Sequence, residues 1–162
     1  TDAEWEKAFG FFKRFDVDKG IMDLRGAYHT FKGHANGTGK VGCVGYCLGG
    51  KLAYLMATRS QVDCAVSYYG VGLDELLDES DKIKSPLMLH IAESDRFVMP
   101  PAQKKIRERL KDNSYVTIHS YPAADHAFAR GGGQTYNEAA ATLANGRTME
   151  FFRSNLSLAA AA

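Results

Sequence analysis

Apolar positions along the chain fall into two rhythms. Near the N-terminus they are spaced as on helices. Trp5, Phe9 and Phe12 stand near helical spacing within a segment from about Ala3 to Phe15, and from Asp18 a second segment sets Ile21, Leu24, Tyr28 and Phe31 on one face. Asn36-Gly37-Thr38-Gly39 stops it. The rhythm then changes to short apolar runs: Val41–Val44, Val62–Tyr69 and Pro86–Ala92, followed by an alternating run, Tyr115–Tyr121. Continuous apolar runs of this length, bounded by glycine, predict parallel strands buried on both faces. Between and after them, Leu48–Thr58, Pro101–Lys111 and Glu138–Asn155 read as helices, and the acidic stretch before Pro86 reads as a loop. Strand and helix alternate, which predicts the α/β class: a parallel sheet flanked by helices and joined by right-handed crossovers. No repeat or linker divides the chain, so residues 1–158 are expected to be one domain. The tail 159–162 reads as a frayed end or a cloning remnant.

A chain of 162 residues suffices for one domain with a real core. With 45% hydrophobic and 24% charged residues, disorder is excluded as the main state. A formal charge of +1 makes no electrostatic case for nucleic acid or an anionic membrane, so neither is expected as a partner. No apolar run approaches the roughly 20 residues that span a bilayer, and Thr1-Asp2-Ala3-Glu4 lacks the basic and apolar regions of a signal peptide. The three cysteines, Cys43, Cys47 and Cys64, contain no C-x-x-C pair and match no zinc pattern. They read as free thiols of a reducing cytoplasm, with no metal and no cofactor implied.

The stretch Gly45-Tyr46-Cys47-Leu48-Gly49-Gly50 follows one predicted strand and opens a predicted helix. That is the setting of a nucleophile elbow, G-x-S-x-G, with cysteine in the place of serine. A nucleophile on so sharp a turn holds a strained backbone, so the flanking residues must lack side chains. The positive end of the following helix favours thiolate over thiol, and the Leu48 N–H stands where an oxyanion would develop. Two blander readings compete. Cys47 is a small buried residue in a glycine-rich turn, or the turn binds a dinucleotide. Against the latter, Gly42, Gly45, Gly49 and Gly50 give no G-x-G-x-x-G in register, and no acid closes the second strand.

The order of the remaining chemistry bears on the choice. Pro86–Ala92 is followed by Glu93-Ser94-Asp95, and Tyr115–Tyr121 by Asp125-His126. Taken singly, Asp95 reads as a capping or turn residue before Pro100-Pro101, and His126 as a solvated loop histidine. Together, Cys47, Asp95 and His126 each fall just beyond the C-terminal end of a strand, the edge where open α/β sheets bind ligands. Cys47 would attack an acyl carbon, His126 would handle its proton, and Asp95 would orient the imidazole. The other histidines have no such placement, and His90 and His119 read as satisfied strand residues.

At these residues a resemblance becomes specific. Gly39–Gly50 (GKVGCVGYCLGG), Ser67–Leu73 (SYYGVGL), Glu93–Pro100 (ESDRFVMP) and Tyr121–Arg130 (YPAADHAFAR) resemble four successive motifs of the dienelactone hydrolase family, and the similarity runs from about Phe9 to Phe152. The resemblance implies an α/β-hydrolase fold and hydrolysis of a lactone or small ester through an acyl-cysteine. It gives Cys47, Asp95 and His126 the triad roles. Arg130 matches an arginine that binds the substrate carboxylate, a suitable task for its bidentate geometry, and Phe97 and Tyr68 match residues near the pocket wall.

Three departures accompany it. Family members carry further N-terminal strands, with a loop that supplies a second oxyanion N–H and a glutamate that controls the resting thiol. This chain starts later and is expected to be the C-terminal part of the fold, lacking the first strands. A second pocket arginine is replaced, in ungapped register, by Trp5. The residue before the histidine, usually glycine, is Asp125, a carboxylate able to stabilise imidazolium or to pull the ring from Asp95. The alternative to an active hydrolase is therefore a non-catalytic or assembly-dependent homologue. Without neighbouring N-terminal strands, Val41–Val44 becomes an unprotected edge, which predicts a homodimer that covers it.

Overall fold

The computed structural model describes residues 1–157, without the Asp2 side chain; the expected domain end at 158 and the tail 159–162 lie outside the described residues. Four parallel strands, β1 (Gly42–Tyr46), β2 (Cys64–Tyr68), β3 (Leu87–Ala92) and β4 (Val116–Tyr121), form a sheet in sequential order. The helices are α1 (Asp2–Arg14), α2 (Val17–Lys32), α3 (Leu48–Arg59), α4 (Pro100–Leu110) and α5 (Glu138–Leu156). The acidic stretch read as a loop winds instead into two short 3₁₀ segments, Leu73–Glu75 and Leu77–Lys82. Glu79, on the second, holds Arg59 of α3 at 2.6 Å, so its acids serve as anchors for the helix layer.

Strand alternation sorts the core into two layers. Ala65, Leu87, Leu89 and Ile91 face a cluster that includes Ile21 and Tyr28 of α2, Tyr54 and Leu55 of α3, and Ile106 and Leu110 of α4. Val66, Tyr68, Met88 and Ala92 face the other way, onto Ala141 and Ala144 of α5. Of the predicted α2 stripe, Ile21 and Tyr28 are buried, whereas Leu24 and Phe31 stay exposed because α3 covers only part of that face. Asp63 fixes the start of the sheet: it accepts Val41 N–H at 2.7 Å and pairs with Lys32 at 2.8 Å. Among the described residues β1 has no neighbour on its outer side, and Val44 and Tyr46 are exposed there. No helix among the described residues is long and apolar enough to cross a membrane.

A buried polar knot ties β3 to α5. Both ring nitrogens of His90 are committed, Nδ1 to the Tyr121 hydroxyl at 2.8 Å and Nε2 to Thr148 Oγ1 at 3.0 Å, while Tyr68 OH lies 2.7 Å from the same Thr148 oxygen. Burial first, then the charges of His119 and Arg147, push the His90 pKa down from 6.5 to about 3. The unfolded chain therefore binds the extra proton between these values. The stabilisation from keeping His90 neutral is complete above pH 6.5 and is lost progressively as pH falls toward 3. His90→Gln is expected to flatten this acid limb, read as the pH dependence of the thermal midpoint relative to wild type.

Candidate active site

Between β1 and α3 the chain turns at a single residue. Cys47 holds φ 55° and ψ −116°, a conformation that an L residue keeps only where its surroundings impose it. Two glycines make the turn possible. A β-carbon on Gly45 would run into the Gly49 backbone carbonyl, and one on Gly50 would stand 2.7 Å from Tyr68 O and 2.8 Å from Gly70 Cα. Gly49 itself has open space around its Cα, so the requirement for a bare backbone falls on Gly45 and Gly50, one position later than the sequence motif suggests. Cys47 N–H donates to Tyr68 O at 3.1 Å, and Cys47 O accepts from Lys51 N at 3.2 Å and Val71 N at 3.4 Å. Leu48 is the first residue of α3, so its N–H belongs to the helix end whose donors have no intrahelical acceptor.

Asp95 follows β3 and is 2% exposed. Its Oδ1 accepts the N–H groups of Phe97 at 2.8 Å and Val98 at 3.1 Å, so the turn role read from sequence is real. Its Oδ2 takes the second task, meeting His126 Nδ1 at 2.8 Å. A carboxylate only accepts, which fixes the proton on Nδ1 and leaves Nε2 for other work. Nε2 is buried without a hydrogen-bond partner among the described residues, and Cys47 lines the same cavity. Burial alone would lower the His126 pKa. The Asp95 hydrogen bond, followed by the facing Cys47, outweighs it and pushes the value up from 6.5 to about 9. Since no hydrogen bond joins Nε2 to Cys47, that second influence is one of proximity rather than of a formed bond, as in many unliganded sites. Asp125 does not compete for the ring. Its Oδ1 accepts His126's own amide N–H at 2.6 Å and Arg96 N–H at 3.3 Å, and its Oδ2 faces the Arg96 side chain at 3.9 Å.

The cavity above these groups has two compartments that share Trp5, Cys47 and His126. One, of about 280 Å³, lies against α1 and is closed by Val71 and Phe97. The other, of about 430 Å³, is lined by Tyr46, Tyr69, Ala127, Ala129 and Arg130. Phe97 thus reaches the site, its ring centroid 4.8 Å from that of His126. Arg130 reaches it too, exposed and without an ion-pair partner among the described residues. Tyr68 does not. It is fully buried beneath the sheet, hydrogen-bonded to Asn145 and Thr148, and Tyr69 lines the cavity in its place. The physical reason is strand parity followed by a twist: Tyr68 is the last residue of β2 and points toward α5, whereas Tyr69 turns to the cleft at φ 37°. No group of three His, Cys, Asp or Glu side chains among the described residues is arranged to hold a metal ion.

Burial pushes the thiols of Cys43 and Cys64 up to about 12, while Cys47 borders the open cavity. Iodoacetamide at neutral pH is therefore expected to label Cys47 first, as read by peptide mapping. Preferential labelling of Cys43 or Cys64 in the folded protein would contradict the elbow.

The parallel sheet flanked by helices is a fold that this chain shares with solved esterases and hydrolases. Pyrococcus furiosus esterase Pf2001 superposes with a TM-score of 0.69 over 86% of this chain and 63% of that one, at 18% identity. The sequence pattern of the dienelactone hydrolase family matches residues 2–156, and the chain belongs to that family. A protein of Azospirillum brasilense is 44% identical over 160 residues, covering 96% of this chain and 67% of that one. The carboxymethylenebutenolidase of Pseudomonas putida is 40% identical over 150 residues, 93% of this chain and 64% of its own length. Carboxymethylenebutenolidase 1 of Cupriavidus pinatubonensis is 38% identical over 148 residues, 91% and 63% of the two chains. The chain spans about two thirds of the length of these curated relatives.

Proposed function

We propose that this protein hydrolyses a small lactone or ester through an acyl-cysteine at Cys47. The observation that carries the reading is the convergence of Cys47, the Asp95–His126 pair and the helix N-terminus at Leu48 on one open cavity. With a proton already on His126 Nε2 at neutral pH, Cys47 Sγ attacks the acyl carbon as the thiolate, forming a C–S bond. The carbonyl oxygen, now negative, accepts from Leu48 N–H. As the C–O bond breaks, the departing oxygen takes the proton from Nε2, a donor held in its charged form at neutral pH by a pKa of about 9. Water then attacks the thioester with Nε2 as base, the C–S bond breaks, and the acid leaves with thiolate and imidazolium restored. Asp95 holds the ring and stabilises its cation throughout.

Brief mixing with p-nitrophenyl acetate tests this reading. A burst of p-nitrophenol together with one acetyl group on the Cys47 peptide is expected, and an unmodified peptide with no burst would overturn it. Arg130, unpaired in the larger compartment, suits a substrate carboxylate. Arg130→Ala is expected to raise KM about tenfold for carboxylate-bearing lactones, the loss of one charge-assisted contact, with neutral esters little changed. Equal losses for both would make Arg130 structural. The edge of β1, unpaired among the described residues and with Val44 and Tyr46 exposed, supports a homodimer that covers it; light scattering decides, and a stable monomer at high concentration would refute it. The free thiols suit a reducing cytoplasm.

A further inference from the structure

We propose that the smaller compartment is a subsite for an uncharged, ring-sized or short alkyl substituent of the substrate. The substrate would then be amphiphilic, with an apolar group on one side of the scissile carbonyl and its anionic end toward Arg130. The inference rests on the hydrolytic reading above and adds what the chemistry of the triad does not specify.

Its source is a stripe on α1. Residues 5, 8, 9 and 12 recur at the i, i+3, i+4, i+7 spacing that puts side chains on one helix face, and Trp5, Ala8, Phe9 and Phe12 all line this compartment. The aromatic members follow one another along the helix, with ring centroids 6.1 Å apart for Trp5–Phe9 and 6.3 Å for Phe9–Phe12. Opposite stand Val71 and Phe97, and among the described residues the only ionisable groups on the walls are Cys47 and His126 themselves. Arg130 lines the other compartment and not this one. The walls are apolar but remain uncovered: Trp5 is 60% exposed, Phe9 43%, Phe12 45% and Phe97 49%. Apolar area left in water costs about 25 cal/mol per Å², so a ligand group that covers these rings is favoured in proportion to its own apolar surface. A volume of about 280 Å³ is ample for it, since apolar cavities of roughly 150 Å³ already hold benzene. Trp5 borders both compartments, at the divide where the scissile group must lie.

Two rates test the subsite. In the first, N-benzyliodoacetamide and iodoacetamide compete for Cys47, whose sulfur displaces iodide in either case without any hydrolysis. The benzyl reagent is expected to react about tenfold faster or more, the return for covering one ring. The ratio should fall by a similar factor in Phe9→Ser/Phe12→Ser, which strips the wall, and in Ala8→Trp, which fills the space. These positions are surface ones on α1, so the substitutions leave the core intact. In the second, kcat/KM for p-nitrophenyl hexanoate is compared with that for the acetate, and the same variants are expected to erase the preference for the longer chain. Equal alkylation ratios in wild type and all variants would overturn the subsite, and if esters still turn over, the hydrolytic reading survives alone. A variant-sensitive alkylation ratio without turnover of any ester would leave the apolar subsite standing and sink the hydrolytic reading.

Discussion

Cys47→Ala is expected to lower kcat/KM toward p-nitrophenyl acetate by about a thousandfold or more, the scale on which removal of a nucleophile acts. The size of the effect follows from the absence of a substitute. Cys43 and Cys64 lie in β1 and β2, where burial pushes their thiols up to about 12, and neither lines the cavity. Ser67, two residues before Tyr69, is 1% exposed and lies against Gly50 and Gly70 beneath the elbow. The alanine variant keeps the backbone demands of the turn, so its fold should be unchanged by circular dichroism. Activity within a factor of a few of wild type would remove the cysteine from the chemistry and favour a non-catalytic homologue.

His126→Ala is expected to cost about 10²- to 10⁴-fold in the same assay, the usual contribution of a positioned acid–base group. Asp95→Asn should cost less, because it removes the support of the ring and not the ring itself, and a cysteine depends less on its base than a serine does. The two variants also differ in pH dependence. In wild type the imidazolium is the proton donor to the leaving group, so an alkaline limb is expected as pH rises through about 9. The Asp95 hydrogen bond is the foremost influence holding that value up, so Asp95→Asn moves the limb to lower pH, toward the ordinary 6.5. The sign for folding is the same: a raised histidine pKa contributes stability that is complete below pH 6.5 and lost as pH climbs through about 9. A titration of the His126 ring protons by NMR checks the shift directly. An unmoved titration in Asp95→Asn would mean that the carboxylate is not its cause.

Much of this arrangement was legible in the chain because the signals are local. Short apolar runs marked three of the described strands and an alternating run the fourth, and the order of Cys47, Asp95 and His126 just past strand ends marked the edge where they meet. What escaped was whatever depends on direction rather than spacing. SYYG announces the tip of β2, but whether Tyr68 or Tyr69 enters the cleft is decided by a φ of 37° at one residue, which no pattern of residue types records. Likewise Trp5, Phe9 and Phe12 were readable as one helix face, yet periodicity says that a face exists and not what it covers. Here it covers the site instead of the core. The acidic 3₁₀ segments were hidden for a third reason: their partners, Arg59 and Arg109, are distant in sequence.

The φ of 55° at Cys47 has a consequence for what the sequence is free to become. A non-glycine residue in such a conformation costs about 1–3 kcal/mol of folding stability, a sizeable share of the roughly 5–15 kcal/mol that holds a domain together. Glycine at this position would relieve most of that, so foldability alone would favour a residue with no side chain here. A cysteine held there, between Gly45 and Gly50, gives up part of that stability, a cost that the hydrolytic role proposed for Cys47 would account for.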